Sequence, residues 1–260
     1  MRTKAAFKYQ FQNLLKLLGW SYLWAVVGIV VLPFIFSLIL GQADDYSLSS
    51  YIPNGLTAIV LTIFVFVTGG MTYDGFKLFI QNGIGRKTYF RSKVYALALI
   101  IVLGEAINLV YGALYQRLIG KSGTRLFGLS VLYGDYFKNS AANLLAVLLI
   151  TLLFIACVAV TGMVIGTILG LFSRRVQVLL IVGIPILMFI LLIVLVVLND
   201  QSSLKLTWLW QFLVFIIGVV NDNIHSGHLV VYAPMISGSV YIAVMLSIAY
   251  YLTLKLRVPR

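Results

Sequence analysis

The sequence predicts an all-α integral membrane protein with six transmembrane helices, an N-terminal interfacial amphipathic helix, and an outer re-entrant helix between spans five and six. Of its 260 residues, 62% are hydrophobic and only 10% are charged. Soluble domains carry roughly a quarter charged residues, so this much apolar surface indicates contact with lipid. Apolar runs of about 20 residues, long enough to cross a bilayer, recur along the chain. We therefore expect residues 1–260 to form a single transmembrane domain.

Six apolar stretches are long enough to be spans. The first is followed by Gly41-Gln42-Ala43, which loosely fits a signal-peptidase site. Its apolar region is longer than that of a signal peptide, so we expect it to be retained. The predicted spans are Gly19–Gly41, Gly55–Asp74, Val94–Gln116, Asn143–Gly170, Val176–Leu198 and Tyr232–Leu254.

Basic residues are unequally divided between the two sides of the membrane. With the N-terminus inside, fourteen of the 19 lysines and arginines are cytoplasmic and five are external. The positive-inside rule therefore predicts a multi-pass protein of the cell membrane with both termini in the cytoplasm. It also accounts for the net charge of +12 without a nucleic-acid partner.

Two apolar segments lie outside the six predicted spans. Leu204–Val220 is nearly long enough to be a seventh span, but that assignment would move the basic C-terminus outside. We predict a re-entrant or interfacial helix within the external segment 199–231. Within residues 1–18, Thr3–Leu18 repeats apolar residues every three or four positions between lysines, which is typical of an amphipathic helix at the inner interface. A frayed basic tail is the alternative.

No catalytic or metal site is predicted from the sequence. Gly120-Lys121-Ser122 lacks the earlier glycine of a phosphate-binding loop. His225 and His228 are three residues apart in a glycine-containing segment, without the glutamate of a zinc protease. Cys157, the one cysteine, lies in an apolar run. We expect neither an enzyme nor a cofactor bound by this chain.

Glu105 is the acidic residue predicted to lie near the middle of a span, where a carboxylate costs on the order of 3 kcal/mol to insert. Asn108 lies on the same helical face, flanked by Gly104 and Gly112. We predict that this face meets protein or a cavity, as a pathway or gating contact or as a protonated acid bonded to a neighbouring helix. A second small-residue face predicts close helix packing, within the chain or between subunits: Gly162, Gly166 and Gly170.

The connection between the second and third spans has more order than a passive loop. In Asp74–Lys93 an apolar half-helix is followed by Asn82-Gly83 and Gly85, and then by basic residues that lead back to the bilayer. This pattern predicts a docking element for a cytoplasmic partner, within residues 75–93. The predicted contact residues are Phe76, Leu78, Phe79, Ile80, Asn82, Gly83, Ile84, Gly85, Arg86 and Lys87.

The stretch Gly83–Phe90, with the layout of the spans, resembles the permease subunits of type-2 ABC exporters. Ser173-Arg174-Arg175 is similar to the second short cytoplasmic loop of that family. The resemblance implies that the loop after the second span is a coupling helix that contacts a separate ATPase subunit, which binds ATP and Mg²⁺. It also implies a dimer of permeases and export of a peptide, an amphipathic molecule or a drug.

By the same resemblance, the second and fifth spans line the transport route. Candidate contributors to this route, besides Glu105 and Asn108, are Thr57, Thr62, Thr68 and Pro185. Pro185 is expected to kink its helix and free a carbonyl group.

Other classes of membrane protein remain open. A secondary transporter is expected to carry paired intramembrane charges and inverted repeats, and neither is evident here. A membrane immunity or sensor protein would bind its ligand without ATP. An intramembrane hydrolase lacks the residues that it needs.

Overall fold

The computed structural model describes residues 2–41, 53, 55–119, 133, 136–200, 207–219 and 229–256, and within these ranges the regular structure is entirely helical. The predicted all-α class is confirmed for the described residues. The helices are α1 (Arg2–Val26), α2 (Leu32–Ile39), α3 (Leu56–Gly70), α4 (Tyr73–Gln81), α5 (Arg86–Ile119), α6 (Ser140–Leu169), α7 (Arg174–Asp200), α8 (Thr207–Ile217) and α9 (Tyr232–Lys255).

Five helices in the described ranges are long and apolar enough to cross a membrane, and the number is six if the bent pair formed by α3 and α4 is one span. The third, fourth, fifth and sixth predicted spans each lie within one of the long helices α5, α6, α7 and α9, apart from Gly170, which follows the end of α6.

The N-terminal helices form one continuous run. A π-helical turn at Val27–Val31 joins α1 to α2, and Pro33 lies in the first turn of α2. Because proline has no N–H and crowds the preceding turn, the wider π turn accommodates it. No break separates the predicted amphipathic helix from the first span. The helical stretch Thr3–Ile39 has 37 residues, about 55 Å of helix, and exceeds the bilayer's hydrocarbon thickness.

The second predicted span, Gly55–Asp74, is interrupted near its C-terminal end. Helix α3 ends at Gly70, and the axis bends by 45° before the helix that contains Gly75–Gln81. The tandem glycines Gly69 and Gly70 favour a helix end, since glycine is a poor helix former. Helix α5 begins at Arg86, so the basic residues expected in a returning loop lie in its first two turns.

Helix α3 crosses α6 with backbones in close contact. A Cβ atom on Gly162 would collide with the Phe66 carbonyl, and one on Gly166 with the Gly70 carbonyl. A Cβ on Gly69 would lie 2.7 Å from the Ala159 carbonyl oxygen. Gly170 instead faces the side chains of Leu256 and Tyr73. These small residues therefore serve packing within the chain.

The apolar core lies where α1, α3, α5 and α6 meet. Leu18, Leu61, Ile100 and Ile155 are almost completely buried there. Helix α9 packs along α6 and also touches α5. This arrangement fixes the relative positions of α1, α3 and α5, which carry the sites described below.

Helix α8 has 11 residues, about 16 Å, which is too short to cross a bilayer. It packs against α9, and the Tyr133 hydroxyl donates a 2.7 Å hydrogen bond to the carbonyl of Ile217 at its end. Helix α7, in contrast, makes no extensive contact with another described helix. None of the side chains in its most apolar window is buried.

Candidate functional site

The α4–α5 hairpin, residues 73–93, turns at a glycine. Helix α4 ends at Gln81, and Gly83 adopts a positive φ of 73°. The Ile84 N–H donates to the Phe79 carbonyl (2.9 Å) and the Gly83 N–H to that of Ile80 (3.0 Å). This pair of bonds is the Schellman arrangement, in which glycine avoids the steric cost of the left-handed conformation. The break expected at Asn82-Gly83 coincides with this turn.

One face of the hairpin is buried against both ends of the chain. Phe76 is fully buried and Phe79 is nearly so, and both pack against Tyr89 of α5. Ala6 near the N-terminus and Leu256 after α9 complete the same cluster, with Ile80 and Ile84 partly buried beside it. The Arg86 guanidinium donates a hydrogen bond to the Leu254 carbonyl. These contacts fasten the hairpin to α1 and α9.

The other face of the hairpin is exposed. Leu78 is 45% exposed although it is apolar, and its neighbour Lys77 is also exposed. The predicted contact residues thus divide into two groups. Phe76, Phe79, Ile80 and Ile84 support the hairpin from inside, whereas the residues available to a partner are Leu78, Asn82, Gly83, Gly85 and Lys87. Arg86 is exposed as well, but its guanidinium already donates to the Leu254 carbonyl.

A cluster of hydrogen bonds secures the bend between α3 and α4. Lys93, which is 94% buried, donates from Nζ to the Gly69 carbonyl (2.7 Å) and to Thr72 Oγ1 (2.8 Å). The Tyr89 hydroxyl donates to the Thr72 carbonyl at 2.8 Å. The Lys93 ammonium lies at the C-terminal end of α3, where the helix dipole favours positive charge. The hairpin is therefore bonded to the end of the preceding helix.

Sequence reasoning missed this role of Lys93 and Tyr89. In the sequence, Lys93 is one more predicted cytoplasmic charge, and Tyr89 is one residue of the stretch Gly83–Phe90. One signal was available: a lysine in the first two turns of α5 can reach back to free carbonyls where a Gly-Gly pair ends the preceding helix.

Glu105 and Asn108 form a buried polar pair on α5. Glu105 is 2% exposed and Asn108 is 5% exposed. Asn108 Nδ2 donates to Glu105 Oε2 at 2.8 Å. The second oxygen of each side chain has no hydrogen-bond partner among the described residues, and neither has the nearby Tyr22 hydroxyl of α1. A carboxyl group in this setting is favoured in its protonated form, because a buried carboxylate without a cation is costly.

Glycines allow neighbouring helices to approach this pair. A Cβ on Gly104 would collide with the side chain of Leu61 on α3. Gly112, one turn beyond Asn108, is also buried. The face expected to meet protein thus packs inside the chain.

Among the described residues, no hydrogen bond joins the other predicted pathway residues to Glu105 or Asn108. Thr62 and Thr68 of α3 donate to carbonyls of their own helix, at 2.8 Å and 2.7 Å. Thr57 is half-buried on the same helix. Pro185 is exposed on α7, which continues through it without ending. A continuous polar route is therefore not formed by the described part of a single chain.

Two cavities lie between the helices. One, of about 260 Å³, is lined almost wholly by apolar side chains of α5, α6 and α9, among them Leu97, Leu152 and Ile242. The other, of about 290 Å³, lies between α1, the α3–α4 bend and α5, and contains polar groups, including Lys93. The phosphate-loop-like tripeptide and the histidine pair considered above lie outside the described residues.

The chain was compared with protein-family models, with curated proteins and with solved structures, and it matches none of them. The α4–α5 hairpin and the Glu105–Asn108 pair are therefore the features that bear on function.

Proposed function

We propose that this chain is the permease subunit of an ATP-driven exporter of the type-2 ABC kind, in the cell membrane with both termini in the cytoplasm. In this proposal a separate cytoplasmic ATPase binds ATP and Mg²⁺ and docks on the exposed face of the α4–α5 hairpin. The single observation that carries the proposal is the construction of that hairpin, which is buried on one face and exposed on the other.

The fastening of the hairpin suits the transmission of force. Movement of the hairpin would be passed to the end of α3 through the bonds of Lys93 and Tyr89 on α5, and to α1 and the end of α9 through the cluster around Phe76. A loosely attached loop would absorb such movement. ATP binding can then bias the permease between inward-open and outward-open states, because the ATPase dimer has different affinities for the two.

The isolation of α7 supports a second permease. Helix α7 is apolar and makes no extensive contact with the other described helices, so it is free to pack against another subunit. Helices α3, α5 and α6 pack on one another, and we see no wide channel between them in the described part of the chain. We propose that a pathway forms between two copies of this chain or between this chain and a related permease. The N-terminal basic turns and α8 are then the inner interfacial and outer re-entrant elements. An amphipathic, peptide or drug-like substrate suits the scarcity of charge within the spans.

The experiment that tests the proposal is co-purification of the tagged full-length chain from its native membranes. We expect a subunit with nucleotide-binding motifs and ATPase activity to accompany the wild type. Lys77→Glu combined with Leu78→Asp should remove that subunit, because both changes lie on the exposed face and spare the buried one. Lys8→Glu, an exposed change on α1, is the matched control and should retain it. An ATPase that is absent from the wild type, or equally retained in both variants, would contradict the proposal.

A proton-coupled secondary transporter is the second candidate, and the Glu105–Asn108 pair specifically favours it. A buried acid that alternates between protonated and ionised forms is a common element of proton relays. This candidate predicts transport that is driven by a proton gradient in vesicles without ATP. The first candidate predicts transport only when ATP and the ATPase subunit are present.

A further inference from the structure

The cavity of about 290 Å³ beside the α3–α4 bend is lined by the buried side chain of Lys93. Two of the three N–H donors of the Lys93 ammonium are used, by the Gly69 carbonyl and by Thr72 Oγ1. The third has no partner among the side chains that the structure describes. Of the acids, only Glu105 has a described side chain, and it lies twelve positions further along α5, about 18 Å along the helix axis, so no described carboxylate neutralises the ammonium.

Other polar groups line the same cavity. Gln10 and Asn13 of α1 face it, and Gln10 Oε1 is buried without a hydrogen-bond partner among the described residues. Rotation of an amide group presents its N–H donors in place of its oxygen. An anion in the cavity would thus meet an ammonium N–H and amide donors.

Apolar side chains line the cavity as well. They include Leu14, Met71 and Leu78, and Met71 is 62% exposed. A cavity lined by a lysine, amides and exposed apolar side chains matches a phospholipid, whose phosphate is charged and whose acyl chains are not. Basic pockets between helices on the cytoplasmic side of a membrane favour anionic lipid headgroups.

We propose that this cavity binds the phosphate of an anionic phospholipid, with Lys93 as the charged contact and Gln10 and Asn13 as hydrogen-bond donors. The topology proposed above makes it a lipid of the inner leaflet. The binding itself does not depend on the transport proposal. It would neutralise a buried charge and join α1 to the hairpin.

The test uses the purified full-length chain in detergent and measures thermal unfolding with added phosphatidylglycerol or phosphatidylcholine. A ligand that binds the folded state raises the unfolding midpoint. We expect phosphatidylglycerol to raise the midpoint of the wild type more than phosphatidylcholine does. Lys93→Gln should weaken the apparent affinity for phosphatidylglycerol on the order of tenfold. Lys87→Gln removes an exposed charge of the same helix and should leave the preference unchanged.

Two further variants keep the result interpretable if Lys93→Gln does not fold. Lys93→Arg keeps the charge and should retain the preference. The double variant Gln10→Leu/Asn13→Leu leaves the Lys93 bonds intact and should weaken it. The proposal is overturned if the wild type shows no preference for phosphatidylglycerol or if Lys93→Gln binds it like the wild type. It is also overturned if Lys87→Gln loses as much affinity for phosphatidylglycerol as Lys93→Gln does. Glycerol 3-phosphate tests the source of the phosphate, because an equal effect of this soluble compound would overturn the lipid assignment.

Discussion

The hydroxyl of Tyr89 donates a 2.8 Å hydrogen bond to the carbonyl of Thr72, from the second turn of α5 to the residue between α3 and α4. This bond ties the bend to the hairpin. We predict that Tyr89→Phe keeps the packing on Phe76 and Phe79 but lowers the free energy of unfolding by about 1–2 kcal/mol, since a buried carbonyl loses its donor. Thermal unfolding of the purified protein measures this change.

Tyr95→Phe is the matched control for that prediction, because Tyr95 lies on the same helix and is 60% exposed. Its unfolding should equal that of the wild type. Equal stability of the two variants would show that the bond of Tyr89 does not hold the bend.

The close crossing of α3 and α6 gives a second prediction. Gly166→Ala places a methyl group against the Gly70 carbonyl, where no flexible side chain can move aside. We expect a loss of about 1–3 kcal/mol in stability, the usual cost of overpacking, measured as a lower unfolding midpoint. Gly183→Ala on α7 has open space around its Cβ and should be neutral or slightly stabilising. A neutral Gly166→Ala would contradict the described crossing.

The buried pair on α5 gives a third prediction. Glu105→Gln preserves an acceptor for Asn108 Nδ2 but removes the ability to ionise or to carry a proton. If Glu105 serves the transport cycle, the variant should unfold like the wild type while ATP hydrolysis by the reconstituted complex falls about tenfold. Ser247→Ala, an exposed change on α9, is the control for purification and reconstitution and should hydrolyse ATP like the wild type. Unchanged hydrolysis with Glu105→Gln would assign the residue to packing.

Much of the fold could be predicted from local sequence. The apolar runs predicted the positions of α5, α6, α7 and α9 to within a few residues, because hydrophobic length is the main constraint on a membrane helix. The exception is the start of α5, which precedes the apolar run. The turn at Gly83 could also be predicted from the sequence, since glycine adopts a positive φ without steric cost.

The candidate site was less predictable because its contacts are long-range. Phe76 and Phe79 were expected to face a partner, and nothing near them in sequence indicates that Ala6 and Leu256 cover them. The apolar period of α4 identifies a buried face but not what buries it. The two hydrogen bonds of Lys93 at the bend, to the Gly69 carbonyl and to the Thr72 hydroxyl, likewise join residues more than twenty positions apart.

The most direct test of the central proposal is accessibility of the exposed face of α4. With Cys157→Ser as the background, Leu78→Cys or Lys8→Cys is labelled with a membrane-impermeant maleimide in intact cells and in inverted membrane vesicles. We predict labelling of both positions only in inverted vesicles, and slower labelling of position 78, but not of position 8, when the ATPase subunit is bound. Labelling of position 78 in intact cells, or a rate that the ATPase leaves unchanged, would contradict the proposal.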